Sequence, residues 1–424
     1  MVSYSVKLAT ILMFIPFVDV ISQSNLWIKL GPVNTAIYMT PMIYDKSSGY
    51  LFAATSQGAM RYSTSAQKWT TINKGLIDSS VHSLAINRER EIFAGTSEAG
   101  VFKSTDLGDS WSPLNNSPQG FRVITLAINT SGHMFAGTFG GGAYRSIDNG
   151  NTWKQINNGI TSAIVTSFLF DSANITYAST DTGGGIFRST NNGDSWQQII
   201  NGLTWYDLVN EHGPVIRGMA KDSKGNIFVA VENGGIHQST DRGANWVRIN
   251  KGMKDTVTVS IIVDSKDQVF VGEYYTLGVY RSTNSGNNWT LLPFDEPYNV
   301  WSFALDSSGF LYAGTVGGGV FRSTPPVSAV PLIEGSLSSY LLYQNYPNPF
   351  NPTTTISFSL FQSGPVELRV FNLRGGEVAT LVSQILHVGK YTIDWNASNL
   401  PSGIYFYRLQ AGSFSETKKL ILLK

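Results

Sequence analysis

The side chains best suited to chemistry gather in one stretch of the chain. Trp205, Tyr206, Asp207, Glu211 and His212 fall close together, and Arg217, Glu232, the run Glu273-Tyr274-Tyr275 and Trp301 follow. Flat aromatic faces beside carboxylates and an arginine are what a carbohydrate groove needs, rings for sugars to rest on and acceptors for their hydroxyls. Two carboxylates about 5–10 Å apart could also hydrolyse a glycosidic bond. The same residue types equally serve a loop that packs its aromatics and solvates its acids. The sequence leaves these three uses open and assigns no catalytic residue. Other chemistries are excluded more firmly. There is no cysteine, so no disulfide, thiol nucleophile or cysteine metal site exists. The five histidines are scattered, and nothing has the spacing of a zinc site, a phosphate-binding loop or a serine triad. No metal and no cofactor is expected. A net charge of +1 gives no electrostatic reason for a nucleic-acid partner.

What must position these residues is a repeat. A phrase of the form Ser-x-Asp-x-Gly-x-x-Trp is clearest at Ser104-Thr105-Asp106-Leu107-Gly108-Asp109-Ser110-Trp111. It returns at 146–153, 189–196, 239–246 and 282–289, with a shortened copy at 63–69. Most successive tryptophans lie 42 or 43 residues apart, a period that signals a propeller or a solenoid. Each unit reads as four short strands rich in β-branched and aromatic residues, separated by turn formers. Residues 81–86, 91–96, 100–104 and 111–114 show the pattern. First strands begin near Ala36, Val81, Val123, Val165, Val215, Val257 and Val300, which makes seven units. The seventh stops after three strands at Ser323. Its fourth is expected from residues 25–30, because Trp27 stands 42 residues before Trp69. Such a closure leaves no open edge between blades.

The repeated phrase explains itself without a ligand. Serine and aspartate side chains can fix a turn by accepting backbone N–H bonds, glycine permits positive φ, and the tryptophan buries a large ring. Asn191 and Asn284 replace the aspartate, which keeps turn bonding and removes charge, as suits a brace. Each loop offers too few oxygens for calcium. Asn87, Asn129, Asp171, Asp222, Asp264 and Asp306 recur in the turns between strands one and two and read as turn formers. Both sets of turns share one face. The opposite face carries the loops between strands two and three and between blades, and there the chain departs from its own pattern. Trp196 and Trp246 are 50 residues apart, with the excess around Trp205–His212, and Gly-Thr-x-Gly-Gly becomes Gly272-Glu273-Tyr274-Tyr275-Thr276-Leu277-Gly278. Arg122 and Arg217 stand near the starts of inner strands, aimed at the axis from that face.

The ends of the chain speak of destination. Lys7 followed by an apolar run over 8–21 reads as a secretory signal ending at Ser22, with Gln23 the expected mature start. That run is shorter than the roughly 20 residues of a spanning helix, and no later stretch is long and apolar enough to cross a bilayer. A Pro-containing linker over 325–337 leads to a last module, 338–424, whose strands are expected at 354–360, 365–372, 377–381, 389–395, 403–409 and 416–423.

The repeated phrase resembles the Asp-box, or BNR, repeat of sialidases, sortilin-type receptors, photosystem assembly propellers and xyloglucan-degrading enzymes, and the resemblance covers residues 25–324. It implies the fold but not one activity, because that family holds enzymes and binders alike. The sialidase motif Phe/Tyr-Arg-Ile-Pro is missing from the sequence, and Arg61, Arg145, Arg188, Arg281 and Arg322 hold one repeat position rather than forming a triad. The xyloglucan enzymes pair two propellers about a cleft, where this sequence supplies one. The last module is similar to the type A C-terminal sorting domain of the type IX secretion system. Tyr343-Gln344-Asn345-Tyr346-Pro347-Asn348-Pro349-Phe350-Asn351-Pro352, Asn372-Leu373-Arg374-Gly375, Gly389-Lys390-Tyr391, Leu400-Pro401-Ser402-Gly403-Ile404-Tyr405 and Lys418-Lys419-Leu420 carry that similarity. It implies passage through the periplasm and across the outer membrane of a Bacteroidota-type bacterium, with release or surface attachment afterwards, and the secretion machinery as a partner. The expected architecture is therefore all-β. A signal peptide (1–22) precedes a seven-bladed β-propeller (23–324) closed by its N-terminal strand. The linker and a small immunoglobulin-like β-sandwich follow. The expected function is binding of a glycan or protein through the face opposite the repeated turns, with a glycoside hydrolase as the alternative.

Overall fold

The computed structural model of the protein describes residues 26–30, 42–181, 183–205, 213–253, 257–274, 278–293, 299–324, 326–327, 340–360, 364–386 and 389–424. The chain folds as two compact units, one of Asn25–Leu332 and one containing Ile333–Lys424.

The first unit is a seven-bladed propeller of four-stranded antiparallel sheets. Blade 1 runs Ile43–Asp45, Tyr50–Thr55, Gly58–Ser63 and Lys68–Thr71. The inner strands of the next blades are Val81–Ile86, Arg122–Ile128, Val165–Phe170, Ile216–Lys221, Thr258–Val263 and Val300–Leu305. The ring closes as the spacing of Trp27 predicts: Trp27–Lys29 pairs with Gly319–Ser323, Trp27 opposite Ser323 and Lys29 opposite Phe321. The inner strand of blade 7 also touches that of blade 1.

The core lies between blades rather than within them. A four-stranded sheet is apolar on both faces here, so each seam carries its own buried cluster. Phe52, Ile72, Val81, Leu84 and Trp111 fill the seam of blades 1 and 2, and Tyr177, Ile199, Ile216, Val229 and Trp246 that of blades 4 and 5. Each such side chain, once buried, is worth about 1.5–3 kcal/mol of transfer free energy.

The repeated turn is a hydrogen-bonded knot. Ser104 Oγ accepts from the Gly108 N–H at 2.8 Å, and Asp106 accepts from the Ser110 N–H at 2.9 Å and from both the Ser104 and Ser110 hydroxyls. Asn191 and Asn284 accept the same backbone bond, from Ser195 and Asn288. Chiefly the bond from the Ser110 hydroxyl holds the Asp106 carboxyl down at about 2. Thr152 and Asn245 do the same for Asp148 and Asp241, both also at about 2.

The tryptophan does more than cover its own sheet. Its indole N–H donates to a carbonyl of the preceding blade: Trp111 to Ile72 O at 2.6 Å, Trp196 to Ile156 O at 2.7 Å, Trp246 to Ile199 O at 2.8 Å and Trp69 to Leu30 O at 2.9 Å. Its backbone N–H also reaches back, as from Trp246 to Asn201 O at 2.9 Å. That approach needs a glycine. Gly202 has φ +87°, and a Cβ there would sit 2.3 Å from Trp246 O. Gly75, Gly159 and Gly252 meet the next tryptophan in the same way. Blade 2 has Ser117 at this position, its hydroxyl accepting from the Val101 N–H, and Trp153 donates to Gly150 O within its own turn instead. The seam of blades 2 and 3 therefore lacks the indole lock that Trp69, Trp111, Trp196, Trp246 and Trp289 supply at theirs.

Turn formers between strands one and two behave as their spacing predicts. Asp171, Asp222, Asp264 and Asp306 each accept from backbone N–H groups two and four residues on.

The second unit pairs a sheet of Glu377–Leu386, Gly364–Asn372, Gly403–Ala411 and Phe414–Leu422 with one of Leu341–Leu342, Thr353–Leu360 and Gly389–Asn396. One cluster, including Phe350, Ile356, Leu368, Trp395 and Tyr407, lies between them. The strand expected to stop at 381 continues to Leu386, because a register shift at Leu368/Arg369 lets Leu381 and Val382 both turn inward. Residues 344–350 fold onto the last strand: Gln344 donates to Lys419 O, and Asn348 Oδ1 accepts from the Ile421 N–H.

Candidate functional site

Inner strands break their ladder at one place. In blades 2 to 7 the register skips a residue between Val81/Ser83, Val123/Thr125, Val165/Ser167, Ile216/Gly218, Thr258/Ser260 and Val300/Ser302. The skipped residues are His82, Ile124, Thr166, Arg217, Val259 and Trp301. A bulge of this kind frees a side chain from the pleat and re-aims it. The flanking residues repeat, with an aliphatic or threonine before and a small residue after, while the bulged residue is different in every blade. All six stand at the end of the axis away from the repeated turns.

A second set surrounds them. The residue after the one that closes the second strand, a threonine in most blades but Val231 in blade 5 and Glu273 in blade 6, is Ser97, Asp181, Glu232, Tyr274 or Val316, according to blade. The backbone N–H of each donates to the stretch just before its inner strand, to Ser80, Ile164, Val215, Val257 and Asn299. Here too the backbone repeats and the side chain does not.

These two sets meet at Arg217. Its Nε donates to Glu232 Oε2 at 2.7 Å, its second terminal nitrogen pairs with the same oxygen, and the first reaches Asp181 Oδ2 of blade 4 at 3.2 Å. The Asp181 and Glu232 side chains stay 21% and 31% exposed, so both acids remain reachable from solvent. Trp301 lies 6.1 Å from the Tyr274 ring at an interplanar angle of 55°. His82 bonds Ser97 Oγ at 2.8 Å, and burial, with Arg122 nearby, brings its imidazole down to about 4. A cavity of about 360 Å³ runs along the axis between the inner strands of blades 3 to 7, lined at one end by Thr166, Arg217, Val259 and Trp301 and at the other by Lys221 and Val263.

Of the expected site residues, the structure places Arg217 and Glu232 in one ion-pair network and sets Tyr274 against Trp301. Trp205 is 38% exposed at the end of a loop whose root is pinned. Thr204 donates to the buried His237 Nε2 through its N–H at 3.1 Å, and its hydroxyl lies 2.9 Å from the same nitrogen. Burial brings His237 to about 4, so Nε2 stays an acceptor at neutral pH. Glu273 is a correction. It is fully buried at the end of the second strand of blade 6, where Thr55, Thr96, Thr138, Thr180 and Thr315 donate to a glycine carbonyl across the hairpin. It replaces that hairpin threonine and offers a ligand no surface. Tyr206, Asp207, Glu211, His212 and Tyr275 lie outside the described residues. Asp181 was missed, as were Phe121 and Phe139. The latter are exposed on the same face, Phe139 under the Arg122 guanidinium at 5.6 Å. Comparing the copies at the position after the hairpin threonine would have found Asp181 and Phe139. Among the described residues no group of acids and histidines could hold a metal ion, and no helix is long and apolar enough to cross a membrane.

Comparison with known proteins separates the two units. Residues 344–423 match the secretion system C-terminal sorting domain. This domain addresses the chain to the type IX secretion machinery, so the protein is cargo of that system and crosses the outer membrane to the cell surface or the exterior. No curated protein matches the chain. Among solved structures it is similar to the extracellular domain of a putative hybrid two-component system from B. thetaiotaomicron, with TM-score 0.61 and 12% identity over 94% of this chain and 57% of that one. A xyloglucanase from Xanthomonas campestris gives TM-score 0.58 and 16% identity over 78% and 59%. YCF48 bound to D1 peptide gives 0.55 and 17% over 70% of this chain and 97% of that one. The chain thus spans 57% and 59% of the length of the first two. Identities this low show the fold alone.

Proposed function

We propose that the protein is an exported Asp-box propeller that binds an extracellular glycan or protein ligand through the face opposite the repeated turns. In this reading residues 1–22 are a signal peptide, 23–324 the propeller, 325–337 a linker and 338–424 the sorting domain. One observation carries the binding assignment: on that face a repeating backbone presents two sets of side chains that do not repeat. Loop packing would not require a bulge in the inner strands of six blades, and fold maintenance would favour the same residue in each copy. Trp205, Tyr274, Trp301, Phe121 and Phe139 supply flat apolar faces, and Arg217 with Asp181 and Glu232 supplies donors and acceptors. Tyr206, Asp207, Glu211, His212 and Tyr275 belong to the same loops by sequence and complete the proposed surface.

A glycoside hydrolase is the second reading, favoured by the two carboxylates that flank Arg217 at the mouth of the axis and by likeness of fold to a xyloglucanase. Screening the protein on a glycan array, with reducing-sugar release followed in parallel, separates the two. Binding without release is expected. Release abolished by Glu232→Gln or Glu211→Gln would establish the hydrolase, and retention of a protein partner with no glycan bound would make the ligand a protein.

A further inference from the structure

We infer that the axial cavity takes the end of a neutral saccharide chain, seated on Trp301 and held by Arg217 with its two carboxylates; this rests on the loop face being the binding surface. Size comes first. At about 360 Å³ the cavity is near the low end of small-molecule pockets, which span about 300–1,000 Å³. It is walled by five inner strands, so it admits the tip of a chain and not its length.

Unspent hydrogen bonds come next. Ser83 Oγ donates to Val123 O at 3.0 Å and Ser260 Oγ to Val300 O at 2.8 Å, each binding the next blade's inner strand. Ser302 holds the same position in blade 7, lines the cavity and is 2% exposed, yet its hydroxyl has no partner among the described residues. The indole N–H of Trp301 beside it is likewise buried and unpartnered among them. Both atoms are closed off from the empty cavity, so an oxygen-rich occupant reaches them only if the Trp301 and Ser302 side chains turn toward it, a turn favoured because buried donors without acceptors are costly.

Charge then selects among such occupants. Arg217 already faces two carboxylates, so an acidic sugar would meet an excess of negative charge at the mouth. A cationic group would meet Arg217 and, deeper, Lys221. A neutral sugar meets neither conflict. Its vicinal hydroxyls can donate to the Glu232 carboxylate, which stays partly exposed beside Arg217, and its apolar ring face can lie on Trp301 and Tyr274.

The test is calorimetric titration of the full chain with cellotetraose, mannotetraose and galactotetraose, against 3′-sialyllactose, tetragalacturonate and tetralysine. At least one neutral tetrasaccharide should bind. Arg217→Met and Trp301→Ala should each weaken it by about tenfold or more, as central anchors do. Arg217→Lys, which keeps the charge but loses the fork, should weaken it comparably. Unfolding midpoints measured alongside separate a lost contact from a lost fold. Binding only of the acidic sugars or of tetralysine, or no binding by any of the six, overturns the inference. So does neutral binding unchanged in the Arg217 and Trp301 variants. If Trp205→Ala and Phe139→Ala remove that binding instead, the ligand sits on the loop face away from the axis. If none of these substitutions matters, the loop-face reading falls as well.

Discussion

The two faces of the propeller are built from the same strands and obey different rules. On the face of the repeated turns the recurring serines and aspartates are spent on their own backbone: Ser104 on Gly108, Asp106 on Ser110, Asp222 on Lys224 and Asn226. Neighbours such as Asn87 with Asn149 and Ser223 with Asp267 brace one blade against another. Its tryptophans and arginines then tie blade to blade, as when Arg61 donates to Leu107 O and pairs with Asp109. On the other face the backbone still repeats, but the side chains it releases pair across blades in unrelated ways or stay exposed. A polar residue that is identical in every copy has a structural task common to all copies. One that changes at a fixed backbone position is free of that task and open to another.

Breaking the lock on the first face should have the largest effect. Gly202→Ala sets a Cβ 2.3 Å from Trp246 O at a positive φ and is expected to cost about 3 kcal/mol or more, measured by urea unfolding. Removing one lock bond while keeping a ring there should cost less. Trp246→Phe, which gives up the bond to Ile199 O, is expected to lose about 1–2 kcal/mol. Trp153→Phe should lose less than that, because its bond stays within its own turn. Equal losses would remove the distinction between the locked seams and the seam of blades 2 and 3.

Acid should act on the same face. The carboxyls of Asp106, Asp148 and Asp241 are held at about 2, below their unfolded value near 4. Their contribution is therefore complete above pH 4 and lost as pH falls from 4 towards 2. Asp106 and Asp241 are exposed and Asp148 lies half-buried at the surface, so solvent screening keeps the effect modest. Replacing all three by asparagine, as Asn191 and Asn284 already stand, should flatten the fall of the unfolding midpoint over that interval. An unchanged slope would mean that these turns contribute nothing to acid lability. The smallest effect is expected on the opposite face: Trp205→Ala and Tyr274→Ala should shift stability by no more than about 0.5 kcal/mol, as exposed substitutions do.

Much of this division was legible in the sequence because repetition is itself a measurement. The period gave the blade count, and Trp27, one period before Trp69, showed which strand closes the ring. The serine–aspartate knot followed from residue types alone. The lock between blades did not, since nothing in one copy says that the Trp246 indole reaches Ile199 of the blade before it. The candidate site was legible by position more than by role. Loops that depart from the pattern were found, but Glu273 was misjudged, because a carboxyl replacing a buried hairpin threonine looks in sequence like one lifted into solvent. Asp181 was overlooked for the opposite reason. Its segment keeps the expected Gly-Gly hairpin, and only the fold brings it to Arg217 across a blade boundary.

The claim that one face maintains the fold while the other meets the ligand can be tested in a single paired experiment. Trp205→Ala/Tyr274→Ala/Trp301→Ala on one face and Asp106→Ala/Asp241→Ala on the other are each titrated with the tightest-binding neutral tetrasaccharide and then unfolded in urea. The loop-face triple variant should lose binding and keep most of its stability, and the turn-face double variant should lose stability and, while folded, bind as the parent does. Binding lost from the turn face, or kept in full by the loop-face variant, would contradict the account.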